Sequence, residues 1–204
     1  MTVEAKNREY QLVAGHPALD LVNTLDWRFR EGEPEELLTS YSDLVRFAAQ
    51  SELLTATEAR LLMKTAGAGA DQKKTLNTAR SLREALAGVL YAKLDGKKPA
   101  DAHLAQLDRM FKSAHASMTL RWAGDGARWE WPTAAAGLDL LLVRLARSAE
   151  SLLTLEDLAL MRACAKPDCR WLFLDTSKNH TRRWCDMKLC GNRMKARRFR
   201  AKPA

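Results

Sequence analysis

Residues 164–190 read CAKPDCRWLFLDTSKNHTRRWCDMKLC, and this segment holds every cysteine of the 204-residue chain. The cysteines form two pairs, with four residues inside each pair and 15 residues between the pairs: Cys164, Cys169, Cys185 and Cys190. Two tight turns of this kind can bring four thiolates together around one tetrahedral zinc ion. Pro167 and Asp168 in the first turn, and Gly191 after the second, suit the backbone bends that such turns require.

The predicted zinc ion is structural, because four thiolates fill its coordination shell and leave no position for a reactive water molecule. The cysteines could instead be four unrelated core residues, the ligands of an iron–sulfur cluster or a redox-active disulfide pair. His180 lies between the two pairs, and we expect it at the surface rather than on the metal. A segment this short buries little apolar area, so zinc binding should supply on the order of 10 kcal/mol of its folding free energy.

A basic segment follows the last cysteine. Residues 191–200 read GNRMKARRFR, and Asn192 can serve as the N-cap of a helix there. Together with two arginines before Cys185, the predicted phosphate-binding residues are Arg182, Arg183, Arg193, Lys195, Arg197, Arg198 and Arg200. A solvated, frayed tail is the alternative. Trp171 and Trp184 could stack on bases, but in so small a module they are expected in its core.

The positive charge of the chain is confined to this region. Residues 162–204 carry 13 Lys or Arg and 3 Asp or Glu, whereas residues 1–161 carry 20 and 22. The net charges are therefore +10 and −2. Such an asymmetry is typical of a basic module that binds a polyanion.

The rest of the chain is predicted to be α-rich, with an overall α+β fold. Ser42 is a candidate N-cap for a short helix through Ala49, and Thr55 with Glu58 has the spacing of a capping box. Apolar periodicity predicts longer helices, which we place at 71–94, about 100–115 and about 133–153.

A change of period predicts β structure in two places. Residues 118–122 and 127–131 flank Gly124-Asp125-Gly126 and predict a β-hairpin, whose Trp122, Trp129 and Trp131 are expected in the core or at an interface. Residues 158–163 are expected to be extended. We place a domain boundary near Leu153, which gives an N-terminal domain of residues 1–153 and a C-terminal module of residues 154–204, packed against each other.

Two motifs resemble known families. The C-terminal pattern runs from the first cysteine pair through Phe173-Leu174-Asp175-x-Ser177 and Arg182-Arg183-Trp184-Cys185 to Cys190-Gly191-Asn192-Arg193, and it resembles the CGNR zinc finger. The N-terminal run GHPALDLVNT, residues 15–24, resembles the opening of the ABATE domain. The resemblance implies a bacterial, stress-linked transcriptional regulator, with a zinc-ribbon or treble-clef-like finger that binds DNA.

The N-terminal part could sense a ligand or mediate dimerisation. Its candidate ligand pocket consists of polar residues interleaved with apolar ones, namely Asp20, Asn23, Thr24 and Arg28; capping of turns and helices is the alternative role. No phosphate-binding loop, nucleophile elbow, HExxH motif or catalytic carboxylate pair is present, so an enzyme is not expected.

The composition also bears on location. No secretory signal opens the chain, and the longest apolar stretch, residues 134–146, contains Asp139 and Arg144. The expected compartment is the cytoplasm, where thiols stay reduced.

The leading functional hypothesis is a zinc-dependent DNA-binding regulator, with homodimerisation expected because one small finger binds weakly alone. An RNA-binding protein would carry the same charges and aromatic residues. A third hypothesis is a protein–protein interaction module in which the basic tail docks an acidic partner.

Overall fold

The structure is a computed structural model that describes residues 9–32, 34–64, 69–133, 137–154 and 156–200, without the side chains of 156, 157 and 198–200. These parts of the chain form a helix-rich α+β fold. The α-helices are α1 (Pro17–Asn23), α2 (Tyr41–Gln50), α3 (Ala56–Lys64), α4 (Gly69–Leu94), α5 (Asp101–Ala116), α6 (Leu138–Thr154) and α7 (Asn192–Arg200). The strands are β1 (Leu25–Asp26), β2 (Glu35–Glu36), β3 (Thr119–Ala123), β4 (Gly126–Glu130), β5 (Met161–Ala163) and β6 (Leu172–Leu174).

Side-chain caps begin the two short helices α2 and α3. Thr55 and Glu58 form the predicted capping box, with the Thr55 N–H donating to Glu58 Oε2 at 2.8 Å. The predicted N-cap of α2 is wrong by two residues. Ser40, rather than Ser42, caps this helix through a reciprocal capping box with Asp43, because the Asp43 carboxylate can reach back to the Ser40 N–H (2.8 Å).

The long helices α4, α5 and α6 pack against one another and form the bulk of the helical part. Helices α4 and α5 approach closely where Gly88 faces His103: a Cβ at Gly88 would lie 2.1 Å from His103 Nδ1. Helix α6 begins at Leu138 rather than near residue 133 as predicted, and residues 134–136 lie outside the described part. Among the described helices, none has the length and apolar character that crossing a bilayer requires.

The strands of the described part pair into three two-stranded antiparallel sheets. The predicted hairpin is present as β3–β4, with Ala123 paired to Gly126 across the turn. The prediction that residues 158–163 are extended is only partly correct. A 3₁₀ helix occupies Glu156–Leu160, and strand β5 then pairs with β6 in the register Met161 to Leu174.

One hydrophobic core joins the N-terminal helices to the cysteine-containing segment. Leu19 and Leu21 of α1 are fully buried in the same cluster as Leu172 and Phe173 of β6. The backbone continues this contact, since the Leu174 N–H donates to the Ala14 carbonyl at 2.8 Å. The boundary near Leu153 stays a prediction, and the parts on either side of it share their interior.

Candidate metal centre and nucleic-acid surface

The four cysteines converge on one point. All four are buried, and their sulfur atoms lie within 4.8 Å of one another. The Cys169–Cys185 and Cys185–Cys190 Sγ distances are 3.8 and 3.6 Å. Tetrahedral coordination with Zn–S bonds of about 2.3 Å places neighbouring sulfurs about 3.8 Å apart. The residues therefore fit one structural zinc ion, which would be enclosed by thiolates on all sides.

The first turn is closed by backbone hydrogen bonds. The Lys166 carbonyl accepts from the N–H groups of Cys169 (3.0 Å) and Arg170 (3.2 Å), and Arg170 adopts a left-handed φ of 49° that reverses the chain. The Cys164 N–H donates to the Trp171 carbonyl at 2.8 Å, and the turn thereby extends the β5–β6 pairing. These bonds hold the backbone at both cysteines of the first pair.

The second turn is a π-helical turn, Met187–Gly191, that runs directly into α7. Asp186 caps it, because its carboxylate accepts from the Leu189 N–H at 2.9 Å. The cap predicted at Asn192 is therefore wrong: Asn192 already has helical dihedral angles. A Cβ at Gly191 would lie 2.4 Å from Met187 Sδ and 3.2 Å from Trp184 Cδ1, so a larger residue here would displace the Met187 side chain.

A buried aspartate orders the loop between the cysteine pairs. Asp175 is 0% exposed, and its Oδ1 accepts from the Ser177 hydroxyl at 2.5 Å. Its Oδ2 accepts from the Arg182 N–H at 2.9 Å. The Ser177 hydroxyl, with further hydrogen bonds, holds the pKa of Asp175 below its usual value. The Asp-x-Ser spacing is a known turn signal, and this role could have been predicted from it.

His180 is an exposed residue of the same loop, as predicted. Its Nδ1 lies 2.8 Å from the Asp175 carbonyl oxygen. The cluster of potential metal ligands found in the described part consists of the four cysteines, without this histidine.

The cysteine module packs tightly on the N-terminal part. Trp171 is only 8% exposed, and its Nε1–H donates to Asp26 Oδ1 at 2.8 Å. Lys166 places its Nζ 4.0 Å from the ring centroid of Trp27. Trp27 has a left-handed φ of 54°, an unfavourable conformation for a bulky residue. Trp171 thus belongs to the core, as predicted, and the contact between the two parts is polar as well as apolar.

Four of the predicted phosphate-binding residues are exposed to solvent: Arg183, Arg193, Lys195 and Arg197. In the described part of the chain, none of them takes part in an ion pair. Arg198 and Arg200 belong to α7, but their side chains lie outside the described part. Lys188 in the second turn is also exposed, although it is not among the phosphate-binding residues predicted from the sequence.

Arg182 differs from its neighbours, because its guanidinium is used inside the fold. It donates to the Val13 carbonyl at 2.9 Å and to the Trp184 carbonyl at 3.0 Å, and also to the Cys185 carbonyl. Its guanidinium carbon lies 4.2 Å from the ring centroid of Phe173. These contacts give Arg182 a structural role beside the metal centre.

The residues of the candidate ligand pocket lie on α1 and just after it, and the first two make internal hydrogen bonds. Asp20 Oδ1 accepts from the N–H groups of Val13 and Ala14, both at 3.1 Å. Burial raises the pKa of Asp20 to about 7, and the two backbone hydrogen bonds oppose that rise. Asn23 donates to the Leu172 carbonyl at 3.0 Å and accepts from the Leu172 N–H at 2.9 Å.

The other two candidates also have partners within the fold. The Thr24 hydroxyl donates to the Leu21 carbonyl at 2.6 Å and accepts from Arg83 at 3.1 Å. Arg28 forms an ion pair with Glu84 of α4. All four candidates therefore hold structural elements together, and a ligand role for them stays a prediction.

Two family models match this chain, one after the other. Residues 15–156 match the model of the ABATE family, described as "Putative stress-induced transcription regulator", and residues 161–203 match the model of the CGNR zinc finger. A search of curated proteins found no match. Because the first model covers more than half of the chain and the second contains all four cysteines, this zinc-binding protein belongs to the ABATE family and carries a CGNR zinc finger.

Proposed function

We propose that this protein is a DNA-binding transcriptional regulator that contacts phosphates through the exposed cations of α7 and the second zinc turn. The observation that carries the proposal is the position of Arg193, Lys195 and Arg197. They are exposed, they form no ion pair with a described residue, and their helix continues directly from the turn that supplies two zinc ligands. Unpaired cations held on a rigid support are suited to a phosphate backbone.

The geometry of α7 supports a directional surface. Arg193 and Arg197 are separated by one helical turn, so they project from the same side of the helix. Arg183 is exposed just before the second turn, with its guanidinium carbon 5.5 Å from the ring centroid of Trp184. Zinc would hold this surface in one orientation relative to the N-terminal part, through the shared core.

A regulatory rather than catalytic role is part of the proposal. Four thiolates complete the zinc shell and leave no site for a substrate or an activated water. The same thiolates must stay reduced to hold the metal, which fits the cytoplasm.

The test is a fluorescence-anisotropy titration of the zinc-loaded full chain against a labelled random DNA duplex and an RNA of equal length. The variant Arg193→Gln/Arg197→Gln is compared with Lys73→Gln/Arg109→Gln, which also removes two exposed positive charges but from α4 and α5. We expect duplex binding at micromolar concentration or tighter at low salt. The α7 variant should bind about tenfold or more weakly, and its log–log salt slope should fall by about one unit per lost contact.

Three other results would each argue against the proposal in a different way. Equal weakening of both variants would attribute the effect to net charge alone and contradict a defined surface. A clear preference for RNA would replace DNA by RNA as the ligand. Absence of binding to either polymer at low salt would refute the proposal and favour an acidic protein partner.

A further inference from the structure

The β3–β4 hairpin presents an apolar face to solvent. Leu120 pairs with Trp129 and Trp122 pairs with Ala127, so these side chains project from the same face of the two-stranded sheet. Leu120 is 55% exposed, Trp122 76% and Trp129 61%. Tryptophan is highly buried on average, whereas Trp122 and Trp129 are both widely exposed and occupy diagonal positions on this face. We call the face formed by Leu120, Trp122 and Trp129 the tryptophan face.

The hairpin is anchored at its base. Trp131, one residue after β4, packs against a small cluster formed by Ala114, Val143 and Ala146 of α5 and α6. The guanidinium carbon of Arg147 lies 4.0 Å from the ring centroid of Trp131. Helices α5 and α6 therefore hold the base of the hairpin, which fixes the direction in which the tryptophan face points.

Charged side chains lie on the opposite face. Arg121 pairs across the strands with Arg128, and Arg128 forms an ion pair with Glu130 at 2.9 Å. Asp125 in the turn balances the positive charge of Arg121, so residues 119–130 have a net charge of zero. A surface without a positive excess does not attract a nucleic-acid backbone. The tryptophan face itself carries no charge that a partner would have to neutralise.

The exposed area of the patch suits a second copy of the chain. Given about 250 Å² for a whole tryptophan, the three side chains expose roughly 450 Å² together, within the range of functional patches on monomers. Two such faces in contact would bury about 900 Å², and adjoining side chains would bring the total near the 1,200 Å² of a small specific interface. Contact between identical apolar faces around a two-fold axis also leaves the charged faces in water.

We infer that the tryptophan face is a homodimerisation surface, on which two hairpins pack face to face around a two-fold axis. Sheets that pack in this way lie about 10 Å apart, with interdigitated side chains between them. The dimer contains two zinc modules in one particle. This inference does not depend on nucleic-acid binding, because its test contains no nucleic acid.

The test is sedimentation equilibrium of the zinc-loaded full chain, whose monomer mass is 22.9 kDa. Wild type is compared with Trp122→Thr/Trp129→Thr, which keeps β-forming residues on the strands. The control Leu104→Gln removes an apolar side chain that is 41% exposed on α5. We expect a dimer for wild type and control at micromolar concentration, and at least a 100-fold larger dissociation constant for the double variant. Circular dichroism and zinc content establish that the variants are folded.

Dilution of the unmodified protein gives a second measurement. Dissociation should shift tryptophan emission to longer wavelength, because Trp122 and Trp129 become hydrated, and the midpoint should match the sedimentation constant. A wild type that stays monomeric at tens of micromolar would overturn the inference. So would a double variant that dimerises as tightly as wild type, or an emission maximum that is independent of concentration through the dissociation.

Discussion

The side-chain amide of Asn23 and the backbone of Leu172 exchange two hydrogen bonds across 149 residues of sequence. Nδ2 donates to the Leu172 carbonyl at 3.0 Å, and Oδ1 accepts from the Leu172 N–H at 2.9 Å. Asn23 is 4% exposed and Leu172 is fully buried. The end of α1 thereby pairs with β6 as a strand would, and the N-terminal helix becomes a structural neighbour of the zinc centre.

Replacement of this amide should destabilise the whole protein. Asn23→Ala leaves a buried N–H and a buried carbonyl without their partners, and each unsatisfied group costs about 1–3 kcal/mol. For a chain of this size the melting temperature should fall by about 2–4 °C per kcal/mol. Thermal unfolding followed by circular dichroism measures the change, with Asn179→Ala, at an exposed loop position, as control. A melting temperature equal to wild type would contradict a structural role for this pair.

Removal of the metal should destabilise parts of the protein outside the cysteine loops. We expect one zinc per chain by elemental analysis, and a fall of about 10 °C or more in melting temperature when a strong chelator removes it. Because α1 and β6 share buried contacts, the amides of α1 should exchange hydrogen faster in the metal-free protein, whereas those of α5 should change less. Unchanged protection of α1 after chelation would mean that the two parts fold independently.

Adjacent arginines should give opposite phenotypes. Arg182→Ala removes the donor for the carbonyl groups of Val13, Trp184 and Cys185, and should cost about 1–3 kcal/mol of stability and weaken zinc retention. Arg183→Ala alters an exposed side chain, so stability should change by less than about 0.5 kcal/mol. Only the second variant should weaken DNA binding at unchanged stability. Melting curves, zinc competition and anisotropy titrations on the same preparations separate these effects.

The Asp20 carboxyl group should make the protein less stable as the pH rises. Its pKa rises from 3.8 to about 7 on folding, so the folded state favours the protonated carboxyl group. The associated stability is fully present below pH 3.8 and is lost as the pH rises through 7. Asp20→Asn stays neutral and keeps an acceptor for the N–H groups of Val13 and Ala14.

The variant therefore isolates the contribution of this carboxyl group. Between pH 5.5 and 8, the free energy of unfolding of the wild type should fall by about 2 kcal/mol relative to that of Asp20→Asn. This fall corresponds to a relative decrease of about 4–8 °C in melting temperature. His16 is present in both proteins, so its titration cancels in the comparison. Parallel pH profiles for the two proteins would show that Asp20 is already ionised in the folded state at low pH.

Most of the structural features that could be predicted from the sequence depend on local patterns. The spacing of the cysteines is a property of two short turns, so the metal centre followed from sequence alone. Helix α4 and the hairpin were also predictable, because apolar periodicity and a Gly-Asp-Gly turn act over a few residues. The cap at Ser40 was missed in favour of Ser42, since both serines stand near the start of the same pattern.

Contacts between distant segments could not be predicted in this way. Nothing in the local sequence distinguishes Arg182 from Arg183, and only the folded chain brings the Val13 carbonyl to the first of them. The same holds for Asn23, whose partner lies in the C-terminal module. Trp122 and Trp129 were expected in the core or at an interface, and their exposure excludes a place in the core of the single chain.

The pairing of α1 with β6 has a consequence for synthesis on the ribosome. At about 5–20 residues per second, the 149 residues between Asn23 and Leu172 take roughly 7–30 s to translate. Throughout that interval the apolar side of α1 lacks the strand that covers it in the finished protein. Until β6 is made, α1 can pack on α4 and α6 but not on this strand, so the buried pairing of Asn23 with Leu172 forms only after translation has passed Leu172.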